Sequence, residues 1–233
     1  MAKLRFFFGT MGSGKSTQAL QIRHNLAAGG LDVILTTQLD RQVGRVSSRL
    51  GVAAEAEVVD HRLDLFQLAA GARRADALDA MVCDEAQFYE PGQIDQLARV
   101  VDELGVDVYA FGLLTSFQGD LFPGTKRLLE LADERNELQV EARCWCGERA
   151  THNARLVDGV QVYAGELKVV GDTEAGSGEE PPQVTYELLC RAHWHEGLRT
   201  EQGHQLELID DRPVSAPDAA PEIAVGGTVG SDG

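Results

Sequence analysis

The sequence predicts an α/β protein: a parallel sheet with helices on both faces, followed by a smaller appended unit. Three observations predict it. Short apolar, β-branched runs alternate with helix-period segments through roughly residues 1–140. The first strand runs into the glycine-rich stretch Gly9-Thr10-Met11-Gly12-Ser13-Gly14-Lys15-Ser16-Thr17. Further on, two close-spaced Cys and His pairs bracket short strand-like pieces.

Taken in order, Leu4–Phe8 reads as a buried strand and Ser16–Ala28 as a helix ended by Gly29-Gly30. Asp32–Thr37 is the next strand. Gln38–Gly51 is polar and basic, and places Arg41, Arg45 and Arg49 near a strand end. Glu57–Val59 reads as a short strand, Leu63–Ala72 as a helix, and Ala80 onward as an apolar strand ending in Asp84-Glu85. Pro91 opens a helix whose apolar residues recur at helical spacing to Leu104, with Gly105 closing it. Val106–Leu113 is a strand, and a helix is expected from Pro123 to Arg135, then a strand over Leu138–Arg143. Thr151–Leu156, Val160–Tyr163 and Leu167–Val170 are strand-like, and 171–182 is an acidic, flexible loop. The expected division is 1–140, 141–198 and a disordered acidic tail over 199–233.

The bulk composition narrows the function. A net charge of −16 disfavours general binding to nucleic acid or anionic membrane. Residues 1–5 carry no signal-peptide pattern, and no apolar run approaches a membrane span. The four cysteines are not spaced as a secreted disulfide framework. A soluble cytoplasmic protein is the expectation.

The glycine-rich stretch fits G-x-x-x-x-G-K-[ST], with a strand before it and a helix after it. Glycines let successive N–H groups turn inward around phosphate oxygens, and the helix N-terminus adds its positive end. Lys15 is placed to reach the β and γ phosphates and Ser16 to hold Mg²⁺. Gly9 to Gly14 supply the cradle. Asp84 then reads as the acidic partner of the metal, and Glu85 as a general base. Cys83, inside the strand, reads as a small buried hydrophobe. After the Val106–Leu113 strand, Phe117 and Phe122 in a Gly- and Pro-containing loop suit a planar ligand, or else plug the core edge.

Cys144-Trp145-Cys146 and Cys190-Arg191-Ala192-His193 suggest a structural Zn²⁺ with Cys₃His ligation, with His195 as the second choice for the fourth ligand. Free thiols or one redox-active pair are the alternatives. Such a knot would tie the intervening flap at its base.

With these motifs in view, the chain resembles the zinc-containing (type II) thymidine kinases. The Met11-containing loop, Asp84-Glu85-Ala86-Gln87-Phe88, Phe111-Gly112-Leu113 with Thr115-Ser116-Phe117-Gln118, Cys146-Gly147, and Tyr186 before Cys190 carry the likeness, over roughly residues 3–195. The resemblance implies a RecA-like P-loop NTPase sheet with a zinc-tied lasso over roughly Thr151–Tyr186. It implies ATP-dependent 5′-phosphorylation of thymidine, with Lys15 and Glu85 catalytic and Glu85 as base. Asp84, Glu85, Ala86 and Gln87 are expected on the nucleotide side with the cradle. Met11, Phe88, Leu113, Phe117, Phe122, Val169 and Tyr186 are expected around the nucleoside. The implied cofactors are ATP, Mg²⁺ and Zn²⁺. The implied assembly is a homotetramer inhibited by thymidine triphosphate. The chain departs from the family pattern in its C-x-C pair, in Gln42 where tyrosine is usual, and in a longer acidic loop before Tyr186. The competing readings are a P-loop ATPase acting with nucleic acid, a kinase of another pyrimidine nucleoside, and a zinc module that binds a protein partner.

Overall fold

A computed structural model describes residues 1–38, 45–47, 51, 53–75, 77–138, 141–167 and 182–197. In chain order its elements are β1 (Leu4–Gly9), α1 (Lys15–Ala28), β2 (Val33–Thr37), β3 (Arg45–Ser47), β4 (Ala53–Glu55), β5 (Glu57–Val58), α2 (Leu65–Ala75) and β6 (Ala80–Asp84). A single 3₁₀ turn, Ala86–Phe88, precedes α3 (Pro91–Leu104), β7 (Asp107–Leu113), α4 (Pro123–Leu131) and β8 (Glu134–Glu137). The chain then forms β9 (His152–Val157), β10 (Val160–Val162), β11 (Val184–Leu189) and α5 (Arg191–Glu196).

Six strands form one sheet in the order β5-β2-β6-β7-β1-β8, and every neighbouring pair in it is parallel. From β1 the chain passes the places of β7 and β6 to reach β2, then returns to fill them. Parallel strands put their carboxyl ends on one edge, where ligands of such sheets bind. Gly9, Thr37, Asp84 and Leu113 all lie on that edge.

Strand alternation builds two cores. On one face Leu4, Phe6, Met81, Val108 and Ala110 meet Ile94, Leu97 and Val100 of α3 and Leu65 and Ala69 of α2. On the other face Leu35, Val82 and Phe111 meet Ala19 and Leu20 of α1. Phe7 joins this second core, stacked on Phe111 with ring centroids 4.8 Å apart. Burying a side chain such as Phe6 contributes roughly 1.5–3 kcal/mol. Helices therefore cover both faces, as the sequence pattern predicts. α3 begins with Pro91 at its first turn, and the Gln93 side chain accepts from the Glu90 N–H at 3.0 Å.

The chain departs from the sequence reading after α4. The helix stops at Leu131, not Arg135, and the next strand is Glu134–Glu137, not Leu138–Arg143. The Asp133 N–H donates to the Leu4 carbonyl at 2.9 Å, and the Leu4 N–H donates to the Asp133 carboxylate at 2.8 Å. This pair turns the chain into register with β1 four residues early. The polar sequence of β8 suits an edge strand.

The second unit is the antiparallel sheet β10-β9-β11 with α5 against it. β11 was not anticipated as a strand. Leu167 is not in a strand, and the rest of that expected piece, most of the acidic loop, and the tail from 199 lie outside the described residues. Part of the basic segment after β2 forms the β3–β4 hairpin. No helix among the described residues is long and apolar enough to cross a membrane.

Candidate active site

The glycine-rich loop, the candidate phosphate cradle, takes a conformation that its glycines permit. Gly12 and Gly14 sit at φ 72° and 75°, the left-handed region that glycine enters without strain. A side chain at Gly9 would meet Ser13 Oγ at 2.6 Å. Lys15 is buried, and its ammonium donates to the Thr10 carbonyl at 2.7 Å and to Ser13 Oγ at 3.3 Å. The positive charge is thus held inside the loop and facing its backbone. Met11 stands on the loop, and its N–H donates to Asn153 Oδ1 of β9 at 2.8 Å.

Asp84 ends β6 beside this cradle. It is only 3 % exposed, and Oδ1 has no hydrogen-bond partner among the described residues. Burial, then the neighbouring charge of Glu85, pushes its carboxyl up to about 7, while the Ser16 hydroxyl and the Lys15 charge pull the other way. Directly across in β2, Thr37 pairs in register with Asp84, and its buried Oγ1 likewise has no partner among the described residues. Two orphaned oxygens next to Ser16 are what a divalent cation with its water shell would satisfy, so the donor set fits Mg²⁺.

Glu85 follows with φ 53°, an uncommon conformation for a residue with a side chain. This turns the chain sharply off the strand. The Gln87 amide donates to Glu85 Oε2, and its Oε1 accepts the Leu113 N–H at 3.0 Å. Gln87 and Ala86 are buried, so Gln87 faces Glu85 rather than open space. The Leu113 carbonyl accepts the Thr125 hydroxyl at 2.6 Å, which fixes the end of β7 as well. Buried Cys83, one residue before Asp84, has its thiol pushed up to about 12 by desolvation and is unreactive there.

Phe117 and Phe122 are both 4 % exposed. Phe122 meets Phe88 edge-on with centroids 5.3 Å apart. Phe117 lies beneath the Arg155 guanidinium, 3.7 Å from the ring centroid. Arg155 also donates to the Tyr186 hydroxyl at 2.9 Å and to the Glu166 carbonyl at 2.7 Å. One arginine therefore gathers Phe117, Tyr186 and the segment after β10.

The ligand atoms of Cys144, Cys146, Cys190 and His193 all lie within 4.8 Å of one another. A tetrahedral zinc with Zn–S of ~2.3 Å sets sulfurs about 3.8 Å apart, so this donor set fits Zn²⁺. The tight C-x-C spacing is absorbed by a turn in which the Gly147 N–H donates to the Cys144 carbonyl at 2.9 Å. The short helix α5 puts His193 one turn after Cys190. His195 is not part of the cluster.

Asn153, Arg155 and Thr37 were not anticipated from the sequence. The signal for the first two was present: polar residues two apart in a strand whose intervening Ala154 is apolar share one face. That face looks toward the cradle and Phe117. Val169, Arg41 and Arg49 lie outside the described residues, and Arg45 is exposed on β3.

The thymidine kinase family model matches residues 2–194, spanning the six-stranded and three-stranded sheets and the Cys/His cluster. This chain belongs to the thymidine kinase family. A protein of Streptomyces coelicolor named thymidine kinase is 49 % identical over 93 % of this chain and 100 % of its own. One of Streptomyces avermitilis is 48 % identical over 91 % and 97 %, and one of Lactococcus lactis 40 % over 83 % and 97 %. Family membership thus covers the cradle, the acid pair, the aromatic loop and the cysteine knot as one connected assembly.

Proposed function

We propose that this protein is a thymidine kinase that transfers the γ-phosphoryl group of ATP to the 5′-hydroxyl of thymidine. The observation that carries this reading is the family match across residues 2–194, which takes in every part of the site. The cradle residues Gly9 to Ser16 bind the triphosphate through inward N–H groups and Lys15. Ser16 and Asp84 would hold Mg²⁺, which when bound neutralises phosphate charge. Lys15 stabilises negative charge that grows on the transferring group. Glu85 accepts the 5′-hydroxyl proton, and Gln87 holds Glu85 in the orientation for it.

The nucleoside lies between Met11, Phe88, Leu113, Phe117 and Phe122 on one side and the lasso, with Val169 and Tyr186, on the other. Residues 1–140 supply the donor site and 141–198 the cover. Cys144, Cys146, Cys190 and His193 would hold zinc with four protein ligands and leave it no open position, so its part would be structural. We place the enzyme in the cytoplasm. By the same family reading it works as a homotetramer that thymidine triphosphate restrains.

The test is a nucleoside panel with γ-labelled ATP. Label is expected on thymidine at the 5′ position. Preference for another pyrimidine nucleoside would move the substrate assignment, and DNA-stimulated ATP hydrolysis with no labelled nucleoside would overturn the kinase reading.

A further inference from the structure

Trp194 lies one residue after the zinc-ligating His193 and touches four separate parts of the chain. Its indole N–H donates to the Phe117 carbonyl at 3.3 Å. Its six-membered ring sits over Gly119, where an added Cβ would come within 2.6 Å of Cη2. Gly119 also has φ +88°, so both space and backbone at that point require glycine. The ring stacks on His152 of β9 at 4.8 Å and meets Tyr163 edge-on at 5.3 Å. The Trp194 carbonyl accepts from both Gln161 Nε2 at 3.0 Å and the Tyr163 hydroxyl at 2.5 Å.

These contacts are arranged in series. The Cys190–His193 turn fixes the start of α5, with the Trp194 N–H on the Cys190 carbonyl at 3.0 Å. The β9–β10 hairpin fixes the two sides of the indole. What remains is the far edge of the ring, and that edge bears on the 116–120 turn. The turn closes on itself through the Ser116 N–H to the Asp120 carbonyl at 2.8 Å, the Gly119 N–H to the Ser116 carbonyl at 3.1 Å, the Gln118 N–H to Ser116 Oγ at 3.2 Å and a Thr115–Leu121 bridge, and the Gln118 side chain reaches out to the Gly165 carbonyl at 3.0 Å. Phe117, which it carries, is pressed from its other side by Arg155.

We propose that Trp194 is a positioning residue that transmits the rigidity of the metal knot to the Phe117 turn, and so sets affinity for the nucleoside without touching it. This rests on the thymidine kinase reading for its substrate. The mechanical half, that Trp194 orders residues 114–122, stands apart from it. A side chain that only stabilised the fold would lower the folded fraction, and apparent kcat with it, and leave both Michaelis constants unchanged. A positioning role toward one substrate separates them.

The experiment uses the full-length, zinc-loaded protein. Trp194→Ala should raise the thymidine KM about five- to thirtyfold, the range of losing one or two modest contacts. The ATP KM should stay within about twofold, and the zinc content of the variant should be unchanged. Trp194→Phe keeps an aromatic ring beside His152 but loses the N–H donor and the outer ring over Gly119, and should give a rise somewhat smaller than alanine's. Gly119→Ala, which pushes the indole away from the other side, should reproduce the Trp194→Ala pattern if the alanine variant fails to fold. Hydrogen exchange without nucleoside should show faster exchange over 114–122 in all three variants. Unchanged exchange there, or an unchanged thymidine KM in folded, zinc-loaded Trp194→Ala, overturns the proposal. A wild-type protein that does not phosphorylate thymidine overturns the substrate reading instead, and the exchange result still decides the mechanical half.

Discussion

The cradle and the lasso bind their parts by opposite means. In the cradle, the working groups are neighbours in sequence: Lys15 reaches Thr10 and Ser13 within five residues, and Gly12 and Gly14 shape the backbone between them. In the lasso, the working contacts span long intervals. Cys144 meets His193, Asn153 meets Met11 and Trp194 meets Phe117. A local motif dictates its own geometry once a strand and a helix hold its ends. Among the described residues the lasso comprises a three-stranded sheet and a short helix, and its long-range contacts run through the Cys/His cluster and a few side chains. The difference predicts that chemistry and order can be lost separately.

The largest effect tests the cradle side. Glu85→Gln removes the base while its amide can still pair with Gln87. It should lower kcat by about 10²–10⁴ at saturating thymidine, with little change in the thermal midpoint. Near-normal kcat would remove Glu85 from the base role.

Metal removal tests the other side. Chelating zinc, or Cys190→Ser, should release β9–β11, and kcat/KM for thymidine should fall on the order of 10²-fold through misplacement of the cover. Hydrogen exchange should quicken in β9–β11 while β1, β6 and β7 keep their protection. If the parallel sheet lost protection to the same degree, the two regions would be one cooperative unit and the contrast would fail.

The same contrast explains what the sequence made legible. The glycine-rich loop, Asp84-Glu85 and the Cys144, Cys146, Cys190 and His193 cluster could be picked out because each is a short pattern of chemically distinctive residue types. Helix and strand placement held from β1 to β7 wherever apolar period decided it, and missed β11. It failed after α4, where a distant partner, Leu4, sets the start of β8 through Asp133. Asn153, Arg155 and Trp194 matter through residues at separations from 11 to 142 positions, and no local pattern records those partners. Gln87 is a milder case. Its place in the Asp84–Phe88 run marked it as part of the site, but only the fold shows that its side chain turns back to Glu85.

A smaller effect concerns stability. The Asp84 carboxyl ordinarily titrates at 3.8 and in the fold at about 7, so between those values the folded state binds the extra proton. Metal-free protein should therefore lose stability as pH rises from about 4 to 7, then level off, by a few kcal/mol from this one group. Asp84→Asn should flatten that part of the profile and raise the metal-free thermal midpoint at pH 8, while activity is lost. A profile identical to wild type would show that Asp84 is not held at that cost.

The smallest expected effect is the most discriminating between structure and function at the sheet edge. Thr37 Oγ1 is buried in register with Asp84 and has no partner among the described residues. An unsatisfied buried hydroxyl costs about 1–3 kcal/mol, and Thr37→Val removes it while nearly keeping the shape. If Thr37 only filled space, the valine would be neutral or stabilising and Mg²⁺-dependent ATP binding would not change. If the hydroxyl completes the water shell of a cation held by Ser16 and Asp84, the two measurements part. Metal-free stability should rise slightly, while the apparent affinity for Mg²⁺ with ATP, read by titration calorimetry, should fall about three- to tenfold, the loss of one ordinary hydrogen bond to a water of the cation's shell. Thr37→Ser keeps the hydroxyl and should restore most of that affinity. Opposite signs for stability and binding in the valine variant, with rescue by serine, are what a group held unsatisfied for its ligand produces. Equal affinity in the valine and serine variants would assign Thr37 to packing alone.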